Sequence, residues 1–152
     1  MSDLLAGDIV LSRNHTIGSQ LIRWWTRSSW SHSKVMISDC QFIEAAWPRV
    51  RSGYIANTLG DTLVLRHRDG VDASRLKQFM SSQLNKRFDW RGLLAFVLRV
   101  KIQNKSWYFC SELIAEAFAE IGRPLLRRES SWVTPQDIYQ SLELQEVRSW
   151  RL

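Results

Sequence analysis

Residues 108–118 read YFCSELIAEAF. The segment changes character at Cys110. Aromatic residues precede it, and from Cys110 onward the apolar positions fall at 113, 114, 117, 118 and 121, one helical stripe that Cys110 extends by a turn. Gly122 and Pro124 supply the stop. The spacing predicts a helix with Cys110 in or beside its first turn, facing inward. A thiol there feels unpaired N–H groups and the positive end of the helix dipole, both of which favour the thiolate. The same position also suits a small apolar residue that only packs, because free cysteine is among the most buried residue types. Which role Cys110 has depends on what the rest of the chain brings to it.

Working outward, GDIVLSR (7–13) reads as a short strand entered through Gly7-Asp8, and QLIRWWTR (20–27) as a short helix capped by Ser19. KVMIS (34–38) and QFIEAA (41–46) read as two strands joined by a tight turn around Asp39-Cys40, and DTLVLRHR (61–68) as a further strand. DASRLKQFMSSQLNKR (72–87) carries Leu76, Phe79, Met80 and Leu84 at helical spacing, and WRGLLAFVLRV (90–100) continues as a more buried helix. In VTPQDIYQSL (133–142), Thr134 is a good N-cap, Pro135 fits the first helical position and Asp137 sits in the positive first turn. ELQEVRSW (143–150) reads as a closing strand. With no repeat, low-complexity tract or linker, residues 1–152 are expected to form one α+β domain, an antiparallel sheet packed against helices.

At 152 residues and 45% hydrophobic composition the chain can bury a sizeable core. Its two cysteines, Cys40 and Cys110, make no disulfide framework, and no CxxC or His/Cys cluster suggests zinc, so neither a metal nor a cofactor is expected. The N-terminus has no signal-peptide pattern, and GLLAFVL (92–98) is far short of the roughly 20 residues a membrane span needs. A soluble, cytoplasmic protein is expected; a phage-borne or exported protein is compatible with the same features. The formal charge of +6 favours anionic partners, but the arginines are scattered and no nucleic-acid motif accompanies them, so no nucleic-acid partner is expected. Trp24, Trp25, Trp30 and Trp47, interleaved with Arg23, Arg27, Arg49 and Arg51, could seat an acyl substrate or make weak contact with an anionic membrane. Core and rim packing is the commoner role for such tryptophans.

Three histidines could serve Cys110. His15 lies in a polar stretch, and His67 stands between Arg66 and Arg68, a poor setting for a base. His32 stands at the mouth of a strand, where a side chain can point into a cleft while the backbone is held. Glu44 places a carboxylate inside an otherwise apolar strand, a costly position without a partner. A histidine would satisfy it and be oriented by it. Hairpin register bears on this pair. A two-residue turn at Asp39-Cys40 would pair Glu44 with Val35, on the face opposite His32. A three-residue loop from Asp39 to Gln41 would pair it with Met36, on the face His32 shares.

GDIVLSR, LIRWWTRSSWSHSKVMI, FIEAAWPRVR and FCSELIAEAF, in this order, resemble the YiiX/YebB-like group of circularly permuted NlpC/P60-type cysteine hydrolases in the papain-like superfamily. RFDWRGLLAF and TPQDI look like further segments of that group, and the match runs from Gly7 to about Pro135. The resemblance implies a permuted papain-like fold with Cys110 as nucleophile, His32 as general base and Glu44 as the group orienting His32. It also implies acyl chemistry through a thioester on a peptide, small amide or acyl substrate. Trp30, Lys34, Trp47 and Tyr108 are the candidate substrate-binding residues. Ser33 and Lys34, after His32, depart from the group, which often has an apolar residue and glycine there. The leading expectation is a cysteine hydrolase of amide or peptide bonds. The alternatives are a lipid acyltransferase or phospholipase of the lecithin:retinol-acyltransferase-like branch, and a non-catalytic binding module on the same fold.

Overall fold

Alternating apolar residues along five of the segments above build one eight-stranded sheet in the computed structural model, which describes residues 4–13, 29–46, 48–57, 61–88, 107–108, 110–127 and 133–150. The strands are β1 (Ile9–Arg13), β2 (His32–Met36), β3 (Gln41–Ala46), β4 (Arg49–Tyr54), β5 (Asp61–His67), β6 (Arg87–Phe88), β7 (Trp107–Tyr108) and β8 (Leu144–Trp150). Their spatial order is β7-β6-β4-β3-β2-β1-β5-β8. The six strands from β4 to β8 in that order pair antiparallel, and the short β6–β7 pair is parallel. The described helices are α1 (Ala73–Ser82), α2 (Cys110–Glu120) and α3 (Pro135–Tyr139). None of them is long and apolar enough to cross a membrane.

β1 is buried on both faces and divides the core. Ile9 and Leu11 join Val35, Ile43, Ala45, Leu63 and Leu65 beneath Leu76 and Met80 of α1 and Leu113, Ile114 and Phe118 of α2. Val10 packs on the other face with Leu4, Met36, Phe42 and Val64. The helix ends follow local chemistry. Asp72 accepts the Arg75 N–H at the start of α1. Thr134 and Asp137 form a reciprocal capping box with Pro135 at the first position of α3. Gly122, at φ +74°, closes α2, with the Arg123 N–H returning to the Phe118 carbonyl at 2.8 Å.

The Gly7-Asp8 pair is structural. Gly7 has φ +98°, and a Cβ there would lie 2.2 Å from Val71 Cγ2. Asp8 is buried, accepts the Leu5 N–H at 2.8 Å and takes both Arg66 Nε and Nη2 at 2.7 Å.

Several features differ from the sequence reading. The helix expected over 72–87 ends at Ser82, because Asn85 takes φ +67° and Arg87 enters β6, and the two-residue strands β6 and β7 have no counterpart in that reading. β4 has no counterpart in it, because RVRSGY buries only Val50 and lacks an apolar alternation. β2 begins at His32 rather than Lys34. The hairpin loop is Ser38 to Cys40: the Ile37 N–H bonds to the Gln41 carbonyl at 2.8 Å, and the Ser38 hydroxyl accepts the Gln41 N–H at 3.0 Å. Both registers considered for Glu44 are thereby corrected. With Val35 opposite Ile43, Glu44 comes opposite Lys34. The helices expected over 20–27 and 90–100 lie outside the described residues.

Candidate active site

Register brings the site together. Glu44 opposite Lys34 shares a face with His32, two residues earlier on β2. Diagonal neighbours across an antiparallel pair are within reach of long side chains. His32 Nε2 donates to Glu44 Oε2 at 2.7 Å. Glu44 is only 5% exposed, and its other oxygen, Oε1, accepts from Arg51 Nε and Nη2, each at 2.9 Å. Lys34 Nζ stands 3.9 Å from Oε2. Burial alone would raise the Glu44 pKa, but the His32 hydrogen bond and charge, followed by Lys34 and Arg51, outweigh it and hold the carboxyl at about 2.

Cys110 opens α2 and is buried. The His32 imidazole is its main electrostatic partner, with Ser33 a lesser one. Since Nε2 is committed to Glu44, Nδ1 is the nitrogen left for the thiol. Glu44 has the parity of Phe42, on the face away from α2, whereas Cys110 belongs to the core under α2. His32 opens β2, at the end of the strand between these two faces. Burial would raise the Cys110 pKa, yet the His32 charge and hydrogen bond, with the Ser33 donors, lower it. Burial likewise opposes charge on His32, but the Cys110 thiolate and then Glu44 raise it to about 9. The side chains favour a thiolate–imidazolium pair backed by a carboxylate. His32 keeps 23% of its side chain exposed, enough for contact with a bound molecule.

The remaining candidates are placed unevenly. Lys34 is buried, with its ammonium near Glu44 and 4.3 Å from the centre of the Phe42 ring. Burial is the main cause of its lowered pKa. Trp30 is half-buried against the core, with its ring centre 6.2 Å from that of Tyr139. Trp47 and the Tyr108 side chain lie outside the described residues, as do His15, Trp24 and Trp25. His67 is buried, stacks on Phe118 and accepts the Asp69 N–H at 3.2 Å, well away from Cys110 in the register of the sheet. Arg51 and Ser33 are the contacts that the sequence reading missed. Arg51 was legible only through β4, which places it directly opposite Glu44. Ser33 stood out only as a departure from the family pattern.

No family model matches the chain. The "Probable lipoprotein peptidase YaeF" of Escherichia coli strain K12 is 25% identical over 173 aligned residues, covering 90% of this chain and 63% of the relative. The chain thus spans less than two thirds of that relative's length. The crystal structure of the metalloprotein YiiX from Escherichia coli O157:H7 matches with a TM-score of 0.77 at 17% identity, over 97% of this chain and 98% of the other. The chain is a mixed α+β protein with the YiiX-like fold. Together the two likenesses support the YiiX-like, NlpC/P60-type family that its motifs resemble.

The metal in that description finds no matching donor set in the described residues. No group of three or more His, Cys, Asp or Glu side chains among them could hold a metal ion. Glu44 is already surrounded by His32, Lys34 and Arg51. A cation would have to displace those positive groups.

Proposed function

We propose that the protein is a cysteine hydrolase that cleaves amide or peptide bonds through a thioester on Cys110, in a permuted papain-like arrangement with His32 and Glu44 preceding the nucleophile in sequence. The observation that carries this reading is the His32 imidazole hydrogen-bonded to the Glu44 carboxylate at 2.7 Å, with buried Cys110 at the start of α2 as its main electrostatic partner.

The thiolate adds to the substrate carbonyl, and the developing oxyanion lies near the first-turn N–H groups of α2, the Cys110 N–H among them. Collapse expels the amine, which takes its proton from the His32 imidazolium, and leaves an acyl–Cys110 thioester. Neutral His32 then takes a proton from water as the oxygen adds to the thioester carbonyl. Collapse of this second adduct releases the acid and restores the thiolate–imidazolium pair. Glu44 fixes the ring plane and favours its charged form. The peptidase name of the YaeF relative favours amide over lipid-ester substrates.

The test is direct observation of the intermediate. Incubation with a panel of short peptide amides and activated acyl esters, followed by intact and tryptic mass spectrometry, should place the acyl group on Cys110. Cys110→Ala should abolish both adduct and turnover. An adduct on exposed Cys40, or turnover surviving Cys110→Ala, would overturn the reading.

A further inference from the structure

Positive charge gathers on one corner of the sheet, on the face that Glu44 occupies away from α2. Arg49 and Arg51 of β4 are both exposed and stand two residues apart, so they share that face. Arg51 lies opposite Glu44, while Arg49 lies opposite Ala46 of β3 and Arg87 of β6. Arg87 is exposed as well. Like charges directly opposed across a ladder are unfavourable. Arg49 is nevertheless held in place, its Nη1 donating to the Asn85 carbonyl at 2.9 Å. Neither Arg49 nor Arg87 has an acidic partner among the described residues. Arg51 gives Nε and Nη2 to Glu44, yet its side chain is 62% exposed, which leaves the Nη1 edge of the guanidinium open. On β2, β3, β4 and β6 this face carries His32, Lys34, Arg49, Arg51 and Arg87 against one acid among the described residues, Glu44.

The excess charge lies in a row with the proposed base. Continuing the β2–β3 register past Lys34 and Glu44 brings His32 level with Ala46, and Arg49 follows on the next strand. Ala46 is small, so this row places no long side chain between the imidazole and the guanidinium. Strands about 4.8 Å apart set the His32 and Arg49 backbones roughly 10 Å from each other. One or two extended substrate residues, at roughly 3.4 Å each, reach across much of that span.

We propose that Arg49 and Arg87, with the open edge of Arg51, bind a substrate carboxylate that lies one or two residues from the scissile amide. The inference rests on the hydrolase reading and gives its substrate a class, an acidic peptide or amide. Guanidinium groups suit a planar carboxylate because they can bond it in bidentate fashion. Arg51 belongs to two systems, since it also holds Glu44. Arg49 and Arg87 make no bond to Glu44, so their replacement separates recognition from the chemistry.

The experiment uses the full chain with exposed Cys40 replaced by Ser. Cys110 is alkylated with N-iodoacetylglycine and N-iodoacetylglycylglycine, each compared with its C-terminal amide. At one length or both, the carboxylate reagent should react about tenfold faster than its amide at low salt, the effect of a charge-assisted hydrogen bond. Added salt should narrow the ratio, because the guanidinium groups are exposed. Arg49→Gln combined with Arg87→Gln should bring it close to one. Arg75→Gln combined with Lys77→Gln removes the same charge from the exposed side of α1 and should preserve it. A parent ratio near one, or an equal drop in both double variants, overturns the proposal. If no reagent reaches Cys110, nitrogen-15 NMR of the arginine Nε–Hε groups decides: N-acetylglycylglycine should shift Arg49 and Arg87 saturably and its amide should not, and the absence of such shifts overturns the proposal. A carboxylate preference without any acyl–Cys110 adduct from carboxylated peptides would sink the hydrolase reading and leave the anion site standing. Loss of sedimentation with phosphatidylserine vesicles in the Arg49→Gln, Arg87→Gln variant, with the reagent ratio unchanged, would assign this face to a membrane and overturn the proposal.

Discussion

His32, the first residue of β2, bonds to Glu44 through Nε2 and leaves Nδ1 for another partner. One residue further along, a side chain is committed to a single face of the sheet. With His32 raised to about 9 and Cys110 lowered, both shifts favour the ion pair. Turnover should fall as pH rises through about 9, because neutral His32 cannot protonate the leaving amine. Alkylation of Cys110 should not fall there, because the thiolate remains. Parallel loss of both rates above pH 9 would contradict this assignment. Glu44 has a separate signature. Glu44→Gln should lower turnover by roughly ten- to a hundredfold through misplacement of the ring, less than Cys110→Ala. Its folded pKa of about 2 lies below the ordinary carboxyl value of 4.5, so its contribution to stability is present above pH 4.5 and is lost as pH falls through 2. Denaturant titrations should show wild type more stable than Glu44→Gln at pH 7, with the gap narrower at pH 3.

The elements depend on local devices that can be ranked. Gly7 and Gly122 both have positive φ, but a side chain at Gly7 would also meet Val71, whereas nothing lies within 4 Å of a Cβ at Gly122. Gly7→Ala should therefore destabilise more than Gly122→Ala, by about 2–4 kcal/mol against about 1 kcal/mol. Equal midpoints in guanidinium would show that Val71 yields freely. Thr134→Ala, which breaks the α3 capping box, should cost about 1 kcal/mol in the same measurement. The hairpin is the element on which the site depends most. Its loop spans Ser38 to Cys40, and a shift of one residue would turn Glu44 to the face that Ile43 and Ala45 now occupy, away from His32.

At the scale of the whole molecule, a net charge of +6 supports weak, long-range attraction to anionic surfaces. Sedimentation with phosphatidylserine-containing vesicles should be detectable at low salt and lost as salt rises, because screening weakens exposed charge attraction. Tight, salt-resistant binding would move the functional reading toward lipid acyl chemistry. The sheet explains how the site stays rigid on so short a chain. His32 and Glu44 stand on adjacent central strands, and α2 packs across both, so three residues far apart in sequence are fixed by one core.

Much of this was legible in the sequence because its causes are local. The 113, 114, 117, 118 stripe, the Thr134-Pro135-Asp137 start and the alternation in GDIVLSR each encode their element within a few residues. Cys110 at a helix start and His32 at a strand mouth followed from the same patterns. Tertiary structure decided what depends on the pairing of distant segments. The Ser38–Cys40 loop set a register that turns Glu44 toward His32, and β4, too charged to read as a strand, brought Arg51 to the other carboxylate oxygen. Periodicity identifies which residues share a face. Only the packed sheet determines which of them meet, because a one-residue change in register reverses every contact while leaving the local pattern intact.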